Sequence, residues 1–166
     1  MMRWRAAAVA LTLVLTGCGG DAGADPTGAA GESLPDVELV EFESGDSLSL
    51  ADIEGPAVIN LWATWCAPCR AEIPDFEEVH EARGDEVRFI GVNVGESSAQ
   101  ALAFLDELGA TYEQFSDPAG DASVALRATS MPVTIVLAAD GRVSMKHLGP
   151  LDQDGLDAAI DDALAA

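Results

Sequence analysis

The segment from Ala57 to Cys69 constrains the fold more than any other stretch. Ala57-Val58-Ile59-Asn60-Leu61-Trp62 is a short, mostly apolar run of the kind a buried strand shows. Beyond Cys66-Ala67-Pro68-Cys69, the apolar residues Ile73, Phe76 and Val79 recur on one side of a helix predicted from about Cys66 to Arg83. Cys66 therefore falls at a helix N-terminus, where free backbone N–H groups and the macrodipole favour a thiolate over a thiol. Two cysteines separated by two residues can close a small disulfide, so the arrangement points to thiol–disulfide exchange.

The rest of the chain supplies an alternating pattern around this junction. Val37 to Phe42 alternates apolar and acidic residues as a half-buried strand does, and Ser44-Gly45-Asp46 turns it toward a second arm over Ser47 to Leu50. Val87–Val94 reads as a strand and Ser97–Leu108 as a helix, with Ser97 as N-cap and Leu102, Leu105 and Leu108 as its apolar stripe. A loop is predicted around Phe115 to Pro118, then a short helix from Asp121 to Leu126. Val133–Leu137 and Arg142–His147 flank Asp140-Gly141, a strong hairpin signal. Leu151 to Ala166 closes the chain as an amphipathic helix presenting Leu156, Ile160 and Leu164. Alternating strands and helices followed by a hairpin and a helix predict an α/β fold, a central mixed sheet flanked by helices on both faces.

Three cysteines, Cys18, Cys66 and Cys69, are too few for a disulfide scaffold, and their spacing does not suit a four-ligand zinc site. Cys18 is set apart by its neighbours. Arg3 and Arg5 precede an apolar stretch from Ala6 to Thr16 that is too short to span a bilayer, so residues 1–17 read as a signal peptide. The ending Leu15-Thr16-Gly17-Cys18 resembles the lipobox of bacterial lipoproteins, which implies cleavage before Cys18 and acylation of its sulfur. Acylated in this way, Cys18 would anchor the chain to the extracytoplasmic face of the membrane. After Cys18, residues 19–33 are Gly, Ala, Asp, Pro, Thr, Glu and Ser with almost nothing to bury, which predicts a flexible tether over 18–33 before a domain over 34–166. The net charge of −21 becomes −23 once Arg3 and Arg5 are removed, which argues against nucleic acid and anionic membrane surfaces as partners.

A Trp-Cys-x-x-Cys at the first strand-to-helix turn, in this order of elements, resembles the thioredoxin fold. Pro74, five residues beyond Cys69, stands where thioredoxin-like proteins carry the proline of the active-site helix, and Ser130-Met131-Pro132-Val133-Thr134 resembles their cis-proline segment. The stretch Cys69-Arg70-Ala71-Glu72-Ile73-Pro74, the strand Gly91-Val92-Asn93-Val94, the Asp140-Gly141 turn and the N-terminal β-hairpin extension resemble the extracytoplasmic TlpA/ResA branch. The resemblance spans roughly residues 34 to 166. It implies that Cys66 is the exposed nucleophile and Cys69 the buried resolving thiol. It also implies that Pro132 is cis, presenting the Met131 backbone to a client and keeping metal off the cysteines. Trp65 is expected to shield the active site. Glu72, where this branch often places a glutamate close to the dithiol, is expected either to influence its proton transfers or to be a solvated helix residue. Asn60 stands where cytoplasmic thioredoxins carry a buried aspartate, so that proton relay is absent.

These features predict a membrane-tethered thiol–disulfide oxidoreductase with Cys66, Cys69, Glu72 and Pro132 at its centre and no cofactor or metal. The resemblance implies exported protein thiols and disulfides as partners, apocytochrome c among them, with a membrane electron donor that the sequence does not identify. A monomer is expected. An oxidant of the same fold and a copper-handling or chaperone lipoprotein are the alternative readings, while the Thr/Cys/Arg pocket of a peroxidase is not found. His80 and His147 lack paired ligand neighbours and read as surface or satisfied histidines.

Overall fold

Strand β3 (Ala57–Trp62) is buried from end to end and sits inside a seven-stranded sheet. The computed structural model describes residues 30–166; Cys18 and residues 1–17, expected to form the anchor and its signal peptide, lie outside the described residues. The sheet runs β2-β1-β5-β4-β3-β6-β7, with β1 Glu38–Glu41, β2 Ser47–Ser49, β4 Arg88–Val94, β5 Glu113–Asp117, β6 Val133–Leu137 and β7 Val143–Leu148. β3, β4 and β5 are parallel, whereas β6 pairs antiparallel to β3 and the β1–β2 hairpin adds antiparallel to β5. The fold is therefore the expected mixed sheet with an N-terminal hairpin extension.

The pleat sorts β3 between two layers. Ala57, Ile59 and Leu61 join a core with Leu39, Leu50, Ile90, Leu126 and Ile135. Val58 instead meets Phe76 and Val79 of helix α1 (Ala67–Arg83) and Leu156 and Ile160 of helix α4 (Gln153–Ala165). Helix α2 (Ser98–Leu108) packs beside α1, and the short helix α3 (Asp121–Ala125) contributes Ala122 to the opposite layer. α1 continues through Pro74, and Arg83 in its last turn pairs with Asp161 at 2.8 Å and Asp157 at 3.4 Å, tying it to α4.

Three expectations need correction. Residues expected as a loop around Phe115 form β5, whose polar Gln114, Ser116 and Asp117 disguise a buried strand. Asp117 is buried because its carboxylate caps α3, accepting the N–H groups of Asp121 at 2.9 Å and Ala122 at 3.1 Å. In α2 the buried face is Ala101, Phe104 and Leu105, while Leu102 is exposed, because Phe104 stacks on Trp62 with ring centroids 5.6 Å apart. In α4, Ala159 and Ala163 are buried and Leu164 is exposed. Beside the expected boundary at residue 34, Gly31 N–H donates to Val143 O at 2.7 Å and Val143 N–H donates to Glu32 O at 2.9 Å. Among the described residues, no helix is long and apolar enough to cross a membrane.

Candidate active site

The parallel strand β3 ends at Trp62, and a turn closed by the Cys66 N–H donating to Ala63 O at 3.1 Å carries the chain into α1. Cys66 is the N-cap of that helix. Its Sγ accepts the Cys69 N–H at 3.2 Å, so a sulfur occupies the place a serine or aspartate oxygen commonly takes. Cys66 and Cys69 are joined in a disulfide with sulfurs 2.02 Å and Cα atoms 5.3 Å apart. Cys69 has no exposed surface and Cys66 keeps 5% of its own. Cys66 is thus the more accessible sulfur, but in this oxidised form it is nearly buried rather than exposed.

Both cysteines belong to an apolar cluster with Trp62, Ile73, Ala101, Phe104 and Leu105, and Met131 packs against it. The Met131–Pro132 peptide is cis, as expected, and the Gly55–Pro56 peptide is cis as well. Trp65 departs from expectation. It is 67% exposed and outside the cluster, so Cys69 is covered by Trp62 and its neighbours instead. Trp62 is fixed by Gln114, whose Oε1 accepts the indole N–H at 3.0 Å.

Glu72, one helical turn beyond Cys69, is buried rather than solvated. Asn60 Nδ2 donates to its Oε1 at 2.7 Å, and the Leu151 N–H donates to its Oε2 at 2.7 Å. Burial outweighs these two bonds and pushes the carboxyl up to about 7, with Asp75 adding a small like-charge contribution. The helix therefore holds a carboxyl whose proton is exchangeable near neutral pH, on the same buried face of α1 as Cys69.

Nothing in the sequence spacing joins Glu96, a loop glutamate, to Thr64, thirty-two positions earlier. Glu96 accepts the Thr64 N–H at 2.7 Å, the Thr64 hydroxyl and Asn93 Nδ2 at 2.8 Å. Although partial burial opposes it, this set of donors holds the Glu96 carboxyl below its ordinary range. The histidines stand apart from the dithiol. His80 packs between Phe89 and Tyr112, and His147 Nε2 lies 3.1 Å from Pro150 O. Among the described residues, no group of three or more His, Cys, Asp or Glu side chains is placed to hold a metal ion.

Comparison with known proteins adds to this geometry. Residues 30–146 match the AhpC/TSA family. The chain is 32% identical over 148 residues to the thiol:disulfide interchange protein HelX of Rhodobacter capsulatus, covering 87% of this chain and 82% of that one. Among solved structures, a thiol:disulfide interchange protein of the thioredoxin family from Chlorobium tepidum aligns with a TM-score of 0.69 and 26% identity, over 82% of this chain and 98% of its own. A secreted thiol-disulfide isomerase from Corynebacterium glutamicum aligns with a TM-score of 0.68 and 30% identity, covering 78% and 84%.

Proposed function

This chain belongs to the AhpC/TSA family and is a thiol–disulfide oxidoreductase of thioredoxin fold, and from that premise we propose that it is a lipid-anchored reductant of exported proteins. The observation that carries the chemistry is the placing of Cys66 Sγ at the α1 N-terminus, accepting the Cys69 N–H, with its partner sulfur one turn deeper. In the reduced protein that N–H and the helix dipole stabilise a Cys66 thiolate. The thiolate attacks a client disulfide, a mixed disulfide forms, and one client thiolate leaves. The Cys69 thiol then loses its proton and attacks the Cys66 sulfur. The second client thiolate departs as the Cys66–Cys69 disulfide closes. Two electrons pass from the protein dithiol to the client, and a membrane electron donor must return them.

Glu72 is the group we assign to the proton of Cys69. A carboxyl near 7 accepts that proton during resolution and gives it back when the disulfide is reduced again. Pro132 is assigned to the client side, where the Met131 backbone is available to an extended segment. Residues 1–17 and Cys18 supply the export and anchoring part of the reading, and the secreted relative supports an extracytoplasmic setting. Apocytochrome c, with its paired haem-binding cysteines, is the client class that the TlpA/ResA resemblance favours.

The test is capture. Cys69→Ala expressed in the native membrane is expected to hold clients as mixed disulfides through Cys66, with none in Cys66→Ala. Equal yields from both variants would remove the assigned roles. Captured partners that gain disulfides, rather than lose them, when wild-type protein is restored would reverse the direction of electron flow.

A further inference from the structure

The turn that delivers Cys66 is held from outside by one carboxylate. Ala63 O accepts the Cys66 N–H at 3.1 Å, so Thr64 and Trp65 are the two corner residues of a four-residue turn ending on the nucleophile. Both hydrogen-bond donors of the first corner go to Glu96: the Thr64 N–H to Oε2 at 2.7 Å and the Thr64 hydroxyl to Oε1. Asn93 secures that carboxylate from below, donating to Oε2 at 2.8 Å from the β4 position paired with Trp62. Gln100, in the first turn of α2, donates to Thr64 Oγ1 at 3.0 Å and to Glu96 Oε1 at 3.3 Å. The second corner, Trp65, has no such hold and projects into solvent.

We infer that Glu96 is a positioning residue for the dithiol, clamping Thr64 onto β4 and α2 so that the Cys66 sulfur is kept within reach of Cys69. The inference rests on the exchange chemistry proposed above. A dithiol closes to its disulfide according to how often the two sulfurs meet, and a turn fixed at its first corner keeps Cys66 at the helix end where Cys69 can reach it. Loosening the turn lowers that effective concentration and leaves the disulfide easier to reduce. The effect travels through hydrogen bonds rather than through charge. Glutamine keeps most of the clamp, its Oε1 accepting the Thr64 and Asn93 N–H groups while its amide donates to the Thr64 hydroxyl, and loses only the longer bond from Gln100; alanine keeps none of it.

The experiment equilibrates wild type, Glu96→Ala and Glu96→Gln with reduced and oxidised glutathione and follows the Cys66–Cys69 disulfide, with thermal unfolding recorded beside it. The equilibrium constant for closing the disulfide is expected to fall about tenfold in Glu96→Ala, or ~30 mV for a two-electron couple. Glu96→Gln is expected to stay within about threefold of wild type. A Glu96→Ala constant equal to wild type, whatever its melting temperature, overturns the inference by reducing the clamp to a stability contact. Equal shifts in both variants overturn it too, since charge would then be the agent. If Glu96→Ala does not fold, Thr64→Val carries the test. It keeps the backbone bond and loses the hydroxyl, so a shift of about threefold in the same direction is expected, and no shift overturns the inference. Failure of the exchange reading itself looks different, because the wild-type disulfide would then not equilibrate with glutathione at all.

Discussion

Asn60 and Glu72 meet inside the protein with one acceptor left over: Asn60 Oδ1 is buried and has no partner. That surplus suits a carboxyl that changes state. When Glu72 is ionised, Asn60 Nδ2 donates to it; when Glu72 takes a proton, turning the amide over presents Oδ1 to the new O–H. The folded protein raises Glu72 from an ordinary 4.5 to about 7, so the folded state binds its proton more tightly than the unfolded chain does. Stability from this group is therefore complete below about 4.5 and is lost as pH rises through about 7. Between those limits the loss is about 3 kcal/mol. Glu72→Gln, with Asn60 turned over, removes that slope. Urea unfolding at acidic and alkaline pH is expected to show a falling midpoint in wild type and a flatter one in the variant. Parallel profiles would mean that Glu72 does not titrate in this range. The Cys66–Cys69 disulfide was legible from the spacing of the pair and the cis bond before Pro132 from the resemblance, whereas the burial of Glu72 was not fixed by either. Nor was the exposure of Trp65, because adjacency to a cysteine does not say which way a turn residue projects.

Elements were legible where apolar periodicity marked them and obscure where polar side chains satisfy one another inside. β3 was read to the residue, from an apolar run that nothing interrupts except Asn60. β5 is obscure in the sequence because Gln114 and Asp117 look like loop residues until the indole of Trp62 and the N-terminus of α3 are placed beside them. The same packing explains a glycine in the middle of β4. A Cβ on Gly91 would lie 2.0 Å from Gln114 Oε1, so only glycine lets that side chain cross the strand to Trp62. Gly91→Ala is expected to push Gln114 aside and leave the buried indole N–H without its acceptor, at a cost of about 2–3 kcal/mol. Chemical unfolding reads that loss. A variant as stable as wild type would show that the crossing contributes nothing.

At the scale of the molecule, charge is the dominant fact. Eight Lys and Arg face twenty-nine Asp and Glu, a net charge of −21. Several cations are already engaged: Arg83 with Asp157 and Asp161, Arg88 with Glu113, Arg70 with Glu107. The remaining acids repel one another across a compact body, a destabilising force that salt screens within a Debye length of about 10 Å at 0.1 M. The melting temperature is therefore expected to rise by several degrees between about 10 mM and about 300 mM NaCl. A constant or falling midpoint would mean that the local pairs outweigh the net repulsion.

From the chain alone came the strand-to-helix junction, the cysteine pair at its helix start, the order of the strands and helices other than β5 and, by resemblance, the cis proline before β6. These are written in short-range spacing and in the periods of apolar residues, which local backbone geometry dictates. The folded structure decided which residues meet across distance: Glu96 with Thr64, Gln114 with Trp62, Leu151 with Glu72. Such contacts join residues 32, 52 and 79 positions apart, and their energy comes from burial and mutual hydrogen bonding that exist only once the sheet has brought them together.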